Sequence, residues 1–378
     1  MPDLNSLRIV HVTRTPVGGI FRHILDLAEG QAARGHHVGI ICDSTTGGDR
    51  ADAALARLEP LMKLGIARFA MQREPGAKDL LGFVHVARHL RRLKADVHHG
   101  HGAKGGAFVR LMPAGQAIRV YTPHGGSLHY GRHTARGMIY SNIEKFLGRR
   151  TELFLFESDF ARSVYETIVG SPSGIVRVVA NGIGAAEMER VEPLADAADI
   201  VGVGEFRHIK GTDVLIDAVA ELHRMGRRMR LAIAGDGEDG VLLREQVARL
   251  GLTESVRFLG HTPARQAFAH GRLLAVPSRA DSLPYVVIEA GGAGIPIVAS
   301  NVGGIPEILG PEGKLVPPQD PASLAKAIAA AFDDPTGARA GADRLQQRVR
   351  SMFSQDSMVE GVLAGYRGAI RAKFSPTH

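Results

Sequence analysis

The sequence has no tryptophan, a single cysteine and no long apolar run, and each absence removes a class of protein. One cysteine, Cys42, excludes an internal disulfide framework and is typical of a reducing compartment. Because Cys42 lies in an apolar strand pattern, we expect a buried structural thiol. No apolar stretch is long enough to span a bilayer. The first residues lack a signal peptide's basic region and apolar core, so we expect a cytoplasmic protein.

The rest of the composition is globular, and its charge is unevenly distributed. The length of 378 residues, with 44% hydrophobic and 22% charged residues, suggests two domains. Residues 1–185 hold 24 Lys/Arg and 15 Asp/Glu, a balance of +9, whereas the remainder holds 22 and 24, a balance of −2. A basic first half indicates an anionic partner. No aromatic platform, zinc spacing or helix-turn-helix pattern supports nucleic acid, so anionic lipid or a pyrophosphate-bearing acceptor fits better.

Short apolar runs alternate with amphipathic helical patterns along the whole chain, which predicts two parallel α/β domains. The first begins with a strand at residues 7–13, a turn at Gly18-Gly19 and a helix to about residue 34. We expect a first domain over 1–184, a linker over 185–198 and a second domain over 199–355. A last helix at about 356–372 is expected to pack back on the first domain.

Three features of the first half have more than one interpretation. The stretch His98-His-Gly-His-Gly-Ala-Lys-Gly-Gly106 lacks Walker A spacing, and alternate strand residues point to opposite faces, so we favour a strand end and a polar loop over a metal site. His124 follows a strand in a Gly-rich loop, where open α/β sheets bind ligands, but it could be an ordinary loop residue. The basic helix at about residues 134–150 favours core packing, with membrane contact as the alternative.

The most informative stretch runs from Pro277 to Pro296 in the second half. A buried strand ends at residue 276, a loop contains Asp281, and a helix starting near Pro284 contains Glu289. The start of such a helix suits a phosphate, and the two carboxylates suit hydroxyl groups. A nucleotide-sugar has both kinds of group, although an ordinary strand and core helix would look the same.

Two further loops follow strands of the same predicted domain. Gly204-Glu-Phe-Arg-His-Ile-Lys-Gly211 contains Arg207 and Lys210, which could reach a diphosphate or could be solvated charges. Gly235-Asp-Gly237 forms another tight loop. Loops at the carboxyl ends of parallel strands are the expected place for a nucleotide.

Together these segments resemble the retaining glycosyltransferases of family 4. The resemblance rests on Gly18-Gly19, Thr122-Pro-His-Gly-Gly126, Asn181-Gly182, Gly204 through Gly211, Gly235-Asp-Gly237, Phe258-Leu-Gly260, the carboxylate pair and Asn301-Val-Gly-Gly-Ile-Pro-Glu307. It implies the GT-B fold, in which two Rossmann-like doubly wound parallel-sheet domains face a cleft. The sequence from Ser278 to Glu289 is similar to the corresponding stretch of family members that build bacterial surface polysaccharides.

The resemblance assigns roles to individual residues of the second half. Glu289 would accept hydrogen bonds from the ribose, and Asp281 would hold a hydroxyl of the transferred sugar. Arg207 and Lys210 would neutralise the departing diphosphate. The remaining donor-binding residues of this half would be Ser282, Leu283, Tyr285 and Gly235, with Leu283 and Tyr285 donating backbone N–H groups.

In the first half, the resemblance places Gly18 and Gly19 against the donor phosphates and His124 beside the donor sugar, where it would assist the departing or attacking group. Two departures from the family pattern occur. Asp281 replaces the usual Glu, and Glu205 stands where the family's Arg follows the strand-end glycine. Arg207 is therefore expected to take over that role, unless Lys210 acts alone.

The implied activity is transfer of a sugar, with retention of configuration, from a UDP- or GDP-linked donor to a glycan or a lipid-pyrophosphate-linked acceptor, without a built-in metal or other cofactor. A surface-polysaccharide role and peripheral contact with an anionic membrane at the cytoplasmic face are expected. Two alternatives remain open: a nucleotide-sugar epimerase of the same architecture, and a non-catalytic partner in glycan synthesis.

Overall fold

The structure is a computed structural model that describes residues 2–72, 76–113, 115–125 and 134–375. The chain divides into two compact units, Met1–Asn181 with Gln355–His378, and Gly182–Ser354. Gly126, at the end of the loop that contains His124, lies outside the described residues. Among the helices of the described ranges, none has both the length and the apolar content that crossing a bilayer requires.

The first unit contains a seven-stranded parallel sheet with helices between its strands. The strands are β1 (Arg8–Thr13), β2 (His37–Asp43), β3 (Gly65–Phe69), β4 (Val97–His101), β5 (Ile118–Thr122), β6 (Leu153–Phe156) and β7 (Ile175–Val178). The helices are α1 (Gly18–Ala33), α2 (Gly48–Leu58), α3 (Ala77–Leu93), α4 (Gly102–Leu111), α5 (Ala135–Gly148), α6 (Asp159–Ile168) and the last helix, Gln355–Phe374.

The strand order of this sheet is β3-β2-β1-β4-β5-β6-β7, and every neighbouring pair is parallel. The chain moves to one side from β1 and returns to the other side at β4. Apolar strands such as Ile118–Thr122 are buried along their whole length, as expected for a sheet covered on both faces. The gap between β1 and β4 is therefore the switch point, where such sheets bind ligands.

The last helix, Gln355–Phe374, completes the core of the first unit. Val359, Leu363 and Tyr366 are fully buried and pack with residues of the central strands. A Cβ at Gly30 of α1 would lie 2.5 Å from Val359, so this glycine allows the two helices to approach closely. Lys373 donates to the Ala117 carbonyl at 2.7 Å, which fixes the end of the helix against the start of β5.

Helix α4 corrects the prediction of a polar loop over residues 98–106. Strand β4 continues to His101, and α4 starts directly at Gly102. Glycine disfavours helices, so the local sequence indicated a loop. A Cβ at Gly105 would lie 2.2 Å from the Val12 carbonyl oxygen, and one at Gly106 would lie 2.3 Å from the Tyr121 ring. These glycines allow α4 to press onto the sheet, and that packing overrides the local preference.

Helix α5 is oriented opposite to the favoured prediction of core packing. Its buried side includes two polar residues, with Ser141 donating to the Ile168 carbonyl at 2.7 Å and Glu144 accepting from Arg110 of α4 at 2.7 Å. Leu147 is buried, but the other four large apolar residues face outward, with exposed fractions between 45% and 59%; these are Met138, Ile139, Ile143 and Phe146. The favoured interpretation is wrong because an amphipathic pattern does not say which face is buried.

The second unit contains a six-stranded parallel sheet. Its strands are β8 (Ala198–Val203), β9 (Leu231–Ala234), β10 (Val256–Gly260), β11 (Gly271–Val276), β12 (Ile297–Ser300) and β13 (Lys314–Val316). Its helices are α7 (Thr212–Arg224), α8 (Gly240–Arg249), α9 (Ala264–Phe268), α10 (Tyr285–Gly292), α11 (Ile305–Leu309), α12 (Pro321–Asp333) and α13 (Pro335–Met352).

The strand order β10-β9-β8-β11-β12-β13 is that of a dinucleotide-binding sheet, with its switch point between β8 and β11. The predicted linker over 185–198 contains a short 3₁₀ helix, Ala185–Met188, and its last residue already belongs to β8. Sequence reasoning missed α11 and β13, since each has at most five residues and no periodic pattern can be read over so few.

Candidate active site

Lys210 and Asp281 meet at the switch point of the second unit. Lys210 ends a 3₁₀ helix that follows β8, and Asp281 lies in the loop that follows β11. The Lys210 Nζ atom donates to both carboxylate oxygens of Asp281, at 2.8 and 3.0 Å. Ser278 Oγ donates to the same carboxylate at 3.1 Å. The pair is only partly buried, so a ligand with its own charges could exchange contacts with it.

Arg207 does not join this pair. Its side chain is 51% exposed, and its guanidinium lies 3.5 Å from the Glu205 carboxylate. A surface pair of this kind contributes little to stability, so Arg207 can leave Glu205 at a small energetic cost. The structure thus puts the two predicted cations on one loop but in different environments, with Lys210 held and Arg207 exposed.

The residues after Asp281 lead into α10. Pro284 is the N-cap, with extended backbone angles, and Tyr285 is the first helical residue. The side chains of Leu283 and Tyr285 are buried, whereas Glu289 is half-buried on the first turns of the helix. The Ser282 carbonyl accepts from the Gly304 N–H at 2.7 Å, which joins this loop to the one after β12.

Glycines allow the strand-end loops to approach each other. Gly303 has a φ of +59°, and a Cβ there would lie 1.4 Å from the Asp281 carbonyl oxygen. Gly235 has a φ of +156°, and a Cβ there would lie 1.9 Å from the Gly204 carbonyl oxygen. No other residue type fits either position, so these glycines set the spacing of the loops around Lys210 and Asp281.

An ion pair that sequence reasoning missed also supports the site. Arg279 binds both carboxylate oxygens of Asp213 on α7, at 2.7 and 2.6 Å, and donates to the His208 carbonyl at 2.7 Å. Burial raises the pKa of Asp213, but the contacts with Arg279 lower it by more than burial raises it, so the net shift is downward. Arg279 therefore ties the loop after β11 to the loop after β8. Its partner lies 66 positions away, and no local pattern connects the two.

In the first unit, Gly18 and Gly19 are the first residues of α1. Gly18 has a φ of +66°, and a Cβ there would meet nothing within 4 Å. Both glycines are exposed, so the start of α1 is open on its outer side. The helix begins shortly after β1, at the switch point of the first sheet. This open position has room for an anion near the backbone, and the role of the two glycines in binding donor phosphates stays a prediction.

His124 lies just after β5 and is joined to other histidines. Its φ is +50°, an uncommon left-handed conformation for a residue with a side chain. Its Nε2 atom lies 3.1 Å from Nδ1 of His101, the last residue of β4. Burial lowers the pKa of His124 to about 3. The imidazole is therefore neutral at pH 7 and can accept a hydrogen bond.

The histidine cluster comprises His124 and four others that sequence reasoning did not combine: His11, His23, His99 and His101. His11 pairs with His99 in the register of β1 and β4, and its Nδ1 lies 3.0 Å from His101 Nε2. Burial lowers the pKa values of these four imidazoles, that of His11 to about 4. The available signal was the i, i+2 spacing of His99 and His101, which puts both on one face of β4.

The fold and these sites can be compared with known proteins. Two family models match the chain, "Glycosyltransferase Family 4" over residues 17–187 and "Glycosyl transferases group 1" over residues 197–334. A glycogen synthase of Mycobacterium tuberculosis is 27% identical over 402 aligned positions, which cover 95% of this chain and 93% of that protein. The two family models together include every site residue that was predicted from the sequence, from Gly18 to Glu289.

Solved structures share the fold. A sucrose-phosphate synthase from Thermosynechococcus elongatus has a TM-score of 0.81 at 23% identity, covering 96% of this chain and 99% of that one. Anabaena HepE in complex with UDP-glucose has a TM-score of 0.79 at 20% identity, covering 96% and 100%. The predicted fold and enzyme class are confirmed: the chain belongs to the family 4 glycosyltransferases, with the two Rossmann-like domains of the GT-B fold.

Proposed function

We propose that the protein is a retaining hexosyltransferase that moves a sugar from a UDP- or GDP-linked donor to a glycan or lipid-linked acceptor in cell-surface polysaccharide synthesis. The observation that carries this proposal is the Lys210–Asp281 pair at the switch point of the second sheet. A cation and a carboxylate at this position suit the diphosphate and the hydroxyl groups of one nucleotide-sugar. The bound UDP-glucose of Anabaena HepE supports a nucleotide-sugar donor.

The proposed step breaks the bond between the anomeric carbon and the diphosphate oxygen and forms a bond from the acceptor hydroxyl oxygen to the same carbon. The acceptor proton leaves with the nucleoside diphosphate. Lys210 and Arg207 stabilise the charge that develops on the departing diphosphate. Asp281 accepts from a sugar hydroxyl, and Glu289 accepts from the ribose. Ser282, Leu283, Tyr285 and Gly235 complete the donor site in this assignment.

For the first unit, we propose that Gly18 and Gly19 approach the donor phosphates and that His124 accepts a hydrogen bond from the transferred sugar. The neutral state of His124 supports an acceptor role, because a protonated imidazole has no lone pair to offer. We also infer that transfer needs no built-in metal ion or other cofactor. Two cationic side chains close to the leaving group can carry the charge that a metal would otherwise balance.

A donor screen tests this function. Untagged protein is incubated with UDP- and GDP-sugars, with and without glycan acceptors, and nucleoside diphosphate release and the anomeric configuration of the product are measured. We expect release with one donor, a retained configuration, and loss of both with Lys210→Ala but not with Lys326→Ala, an exposed lysine of α12. Conversion of the donor sugar without release of nucleoside diphosphate would instead identify an epimerase.

The outer surface of the first unit supports a further part of the function, peripheral binding to anionic membrane. The outward apolar residues of α5 lie among Lys145 and Arg149, both exposed. Helix α4 contacts both α3 and α5, and α3 presents exposed Leu80 and Leu81 near its own arginines. Exposed apolar side chains beside basic ones are typical of helices that lie in a lipid interface. A lipid-linked acceptor would be presented at the same surface.

Vesicle sedimentation tests the membrane proposal. We expect binding to vesicles that contain phosphatidylglycerol, weaker binding at high salt, and little binding to neutral vesicles. Phe146→Ser should reduce binding, whereas Met352→Ser, which replaces a similarly exposed residue in the second unit, should not. Salt-insensitive binding, or equal loss in both variants, would contradict the assignment of α5.

A further inference from the structure

We propose that His23, His101 and His124 form a binding site for a divalent transition-metal ion of the Zn²⁺ type, and that the ion inhibits the enzyme. One ring nitrogen from each of the three lies within 4.8 Å of the others. The side chains come from α1, the end of β4 and the residue just past β5, so the sheet itself holds them together. The Nδ1 of His101 and the Nε2 of His124 are 3.1 Å apart, close to the spacing of two nitrogens on one zinc ion.

His23 is already oriented as a metal ligand. Its Nδ1 lies 3.0 Å from the Asn181 side-chain oxygen, which can only accept, so the ring proton is on Nδ1. The Nε2 atom therefore carries the lone pair. In protein metal sites, the N–H of the imidazole's other nitrogen commonly donates a hydrogen bond to such an oxygen, which fixes the tautomer and the ring orientation.

His101 is oriented through two further side chains. His11 Nε2 lies 2.9 Å from the Gln31 side-chain oxygen, so the proton of His11 is on Nε2 and its Nδ1 is an acceptor. That Nδ1 accepts from His101 Nε2 at 3.0 Å. Nδ1 of His101 is then left with its lone pair, directed at His124. Metal binding needs only that the single proton of His124 moves from Nε2 to Nδ1, which leaves the charge of the ring unchanged.

A second trio in the cluster is less suitable. His11, His99 and His101 also bring ring nitrogens together. However, His99 uses both nitrogens, with Tyr366 Oη at 2.7 Å and Thr122 Oγ1 at 2.8 Å. His11 likewise uses both, with Gln31 and His101, so a metal there would break at least two hydrogen bonds in the buried core. In the proposed trio it replaces only the contact between His101 and His124.

The donor set selects the class of metal. Three imidazole nitrogens without a carboxylate favour Zn²⁺, Cu²⁺, Ni²⁺ or Co²⁺ and disfavour Mg²⁺ and Ca²⁺, which prefer oxygen. The fourth position would be taken by water. The inhibition rests on the proposed function, because an ion on His124 Nε2 leaves the ring proton on Nδ1 and so removes the acceptor nitrogen that is assigned to the donor sugar.

Metal binding is tested first, without any activity measurement. Metal-stripped, untagged protein is titrated with Co²⁺ in visible absorption and with Zn²⁺ in calorimetry. We expect one tight ion per chain and the visible band of a four-coordinate cobalt site. His23→Gln should abolish tight binding, and Asn181→Ala should weaken it about 10- to 100-fold, since it removes only the outer contact.

His98→Gln is the matched control, because His98 lies on the same strand as His101 but is outside both trios. It should bind the metal like the wild-type protein. Unfolding curves of the metal-free variants show whether each one folds. Equal Zn²⁺ affinity of folded His23→Gln and wild type, or equal loss in His98→Gln, would overturn the site, as would octahedral cobalt spectra.

Inhibition is then expressed as the ratio of transferase rates with and without Zn²⁺ for each variant. We expect a large loss for the wild type and for His98→Gln, and a ratio near one for His23→Gln. Tight metal binding by a protein that transfers no sugar would support the metal site and refute the proposed function. Transfer that is indifferent to saturating Zn²⁺ would leave the function standing and refute the inhibition.

Discussion

Replacing Lys210 by Ala tests the central electrostatic feature of the second unit. The Lys210 Nζ atom holds both oxygens of the Asp281 carboxylate at 2.8 and 3.0 Å. In the proposed complex, the same ammonium also donates to the donor diphosphate. The variant therefore removes a contact with the ligand and leaves an uncompensated carboxylate beside it.

The expected loss of affinity follows from the missing contact and from the uncompensated carboxylate. A hydrogen bond to a charged group contributes about 1.5–3 kcal/mol, so its loss weakens nucleoside diphosphate binding roughly 10- to 100-fold. Repulsion between Asp281 and the diphosphate weakens it further. Adding Asp281→Asn to Lys210→Ala removes that repulsion, so the double variant should bind more tightly than Lys210→Ala alone. The coupling between the two changes should lie in the range of about 0.5–3 kcal/mol for contacting residues.

Isothermal titration calorimetry with UDP and GDP, at fixed ionic strength, measures the affinity of the wild type, of Lys210→Ala, of Asp281→Asn and of the double variant. These four proteins form a double-mutant cycle. Lys326→Ala, an exposed lysine on α12, controls for the loss of one positive charge. Arg207→Ala in the same assay shows whether the exposed guanidinium contributes, since unchanged affinity would leave Lys210 as the sole cation. Wild-type affinity in Lys210→Ala would refute the reasoning, and so would additive effects of Lys210→Ala and Asp281→Asn.

Three further predictions concern stability. Arg110→Met should lower the free energy of unfolding by about 3–5 kcal/mol, because it removes the cation that is paired with the buried carboxylate of Glu144. In urea titrations, adding Glu144→Leu should recover most of the loss, and no recovery would contradict the role of the pair. Gly303→Ala should lower the melting temperature far more than Gly251→Ala, which has the same left-handed backbone but open space around it; equal shifts would show that the close contact is unimportant. The pKa of Glu152 is lowered, since the hydrogen bonds from its arginine partner outweigh the effect of burial, which raises it. The contribution of Glu152 to the free energy of unfolding should therefore be complete at pH 7 and fade as the pH falls below about 4. In urea titrations, the stabilities of wild type and Glu152→Gln should then converge in acid, and a difference that is constant with pH would contradict the assignment.

Most of the central strands were predictable from sequence because burial on both faces makes a strand a short apolar run. Strands Ile118–Thr122 and Leu153–Phe156 are examples that are buried at every position. Helix α4 was not predictable, since its glycines serve contacts with Val12 and Tyr121 that lie far away in sequence. The loop positions of Asp281 and Lys210 were also predictable from the strand ends.

What sequence reasoning could not supply was the partner of each side chain. The histidine cluster joins residues 11, 23, 99, 101 and 124, and only the strand register brings His11 opposite His99. The pairing of Arg279 with Asp213 likewise depends on two loops meeting at a switch point. Helix α5 shows the same limit, because the burial of Glu144 depends on Arg110, a residue of another helix.

The side chains at the two switch points differ in ionisation, and this difference supports separate roles for them. In the second unit, the position between β8 and β11 carries a partly buried ion pair, which can exchange contacts with a charged ligand. In the first unit, the position between β1 and β4 carries buried imidazoles whose pKa values burial lowers, so they add no charge at pH 7. A departing diphosphate requires fixed positive charge, whereas a sugar hydroxyl requires a neutral acceptor. The imidazoles of the first switch point are thus suited to a sugar hydroxyl, beside the open backbone of Gly18 and Gly19, whereas the second retains ionised side chains that can exchange contacts with a charged ligand.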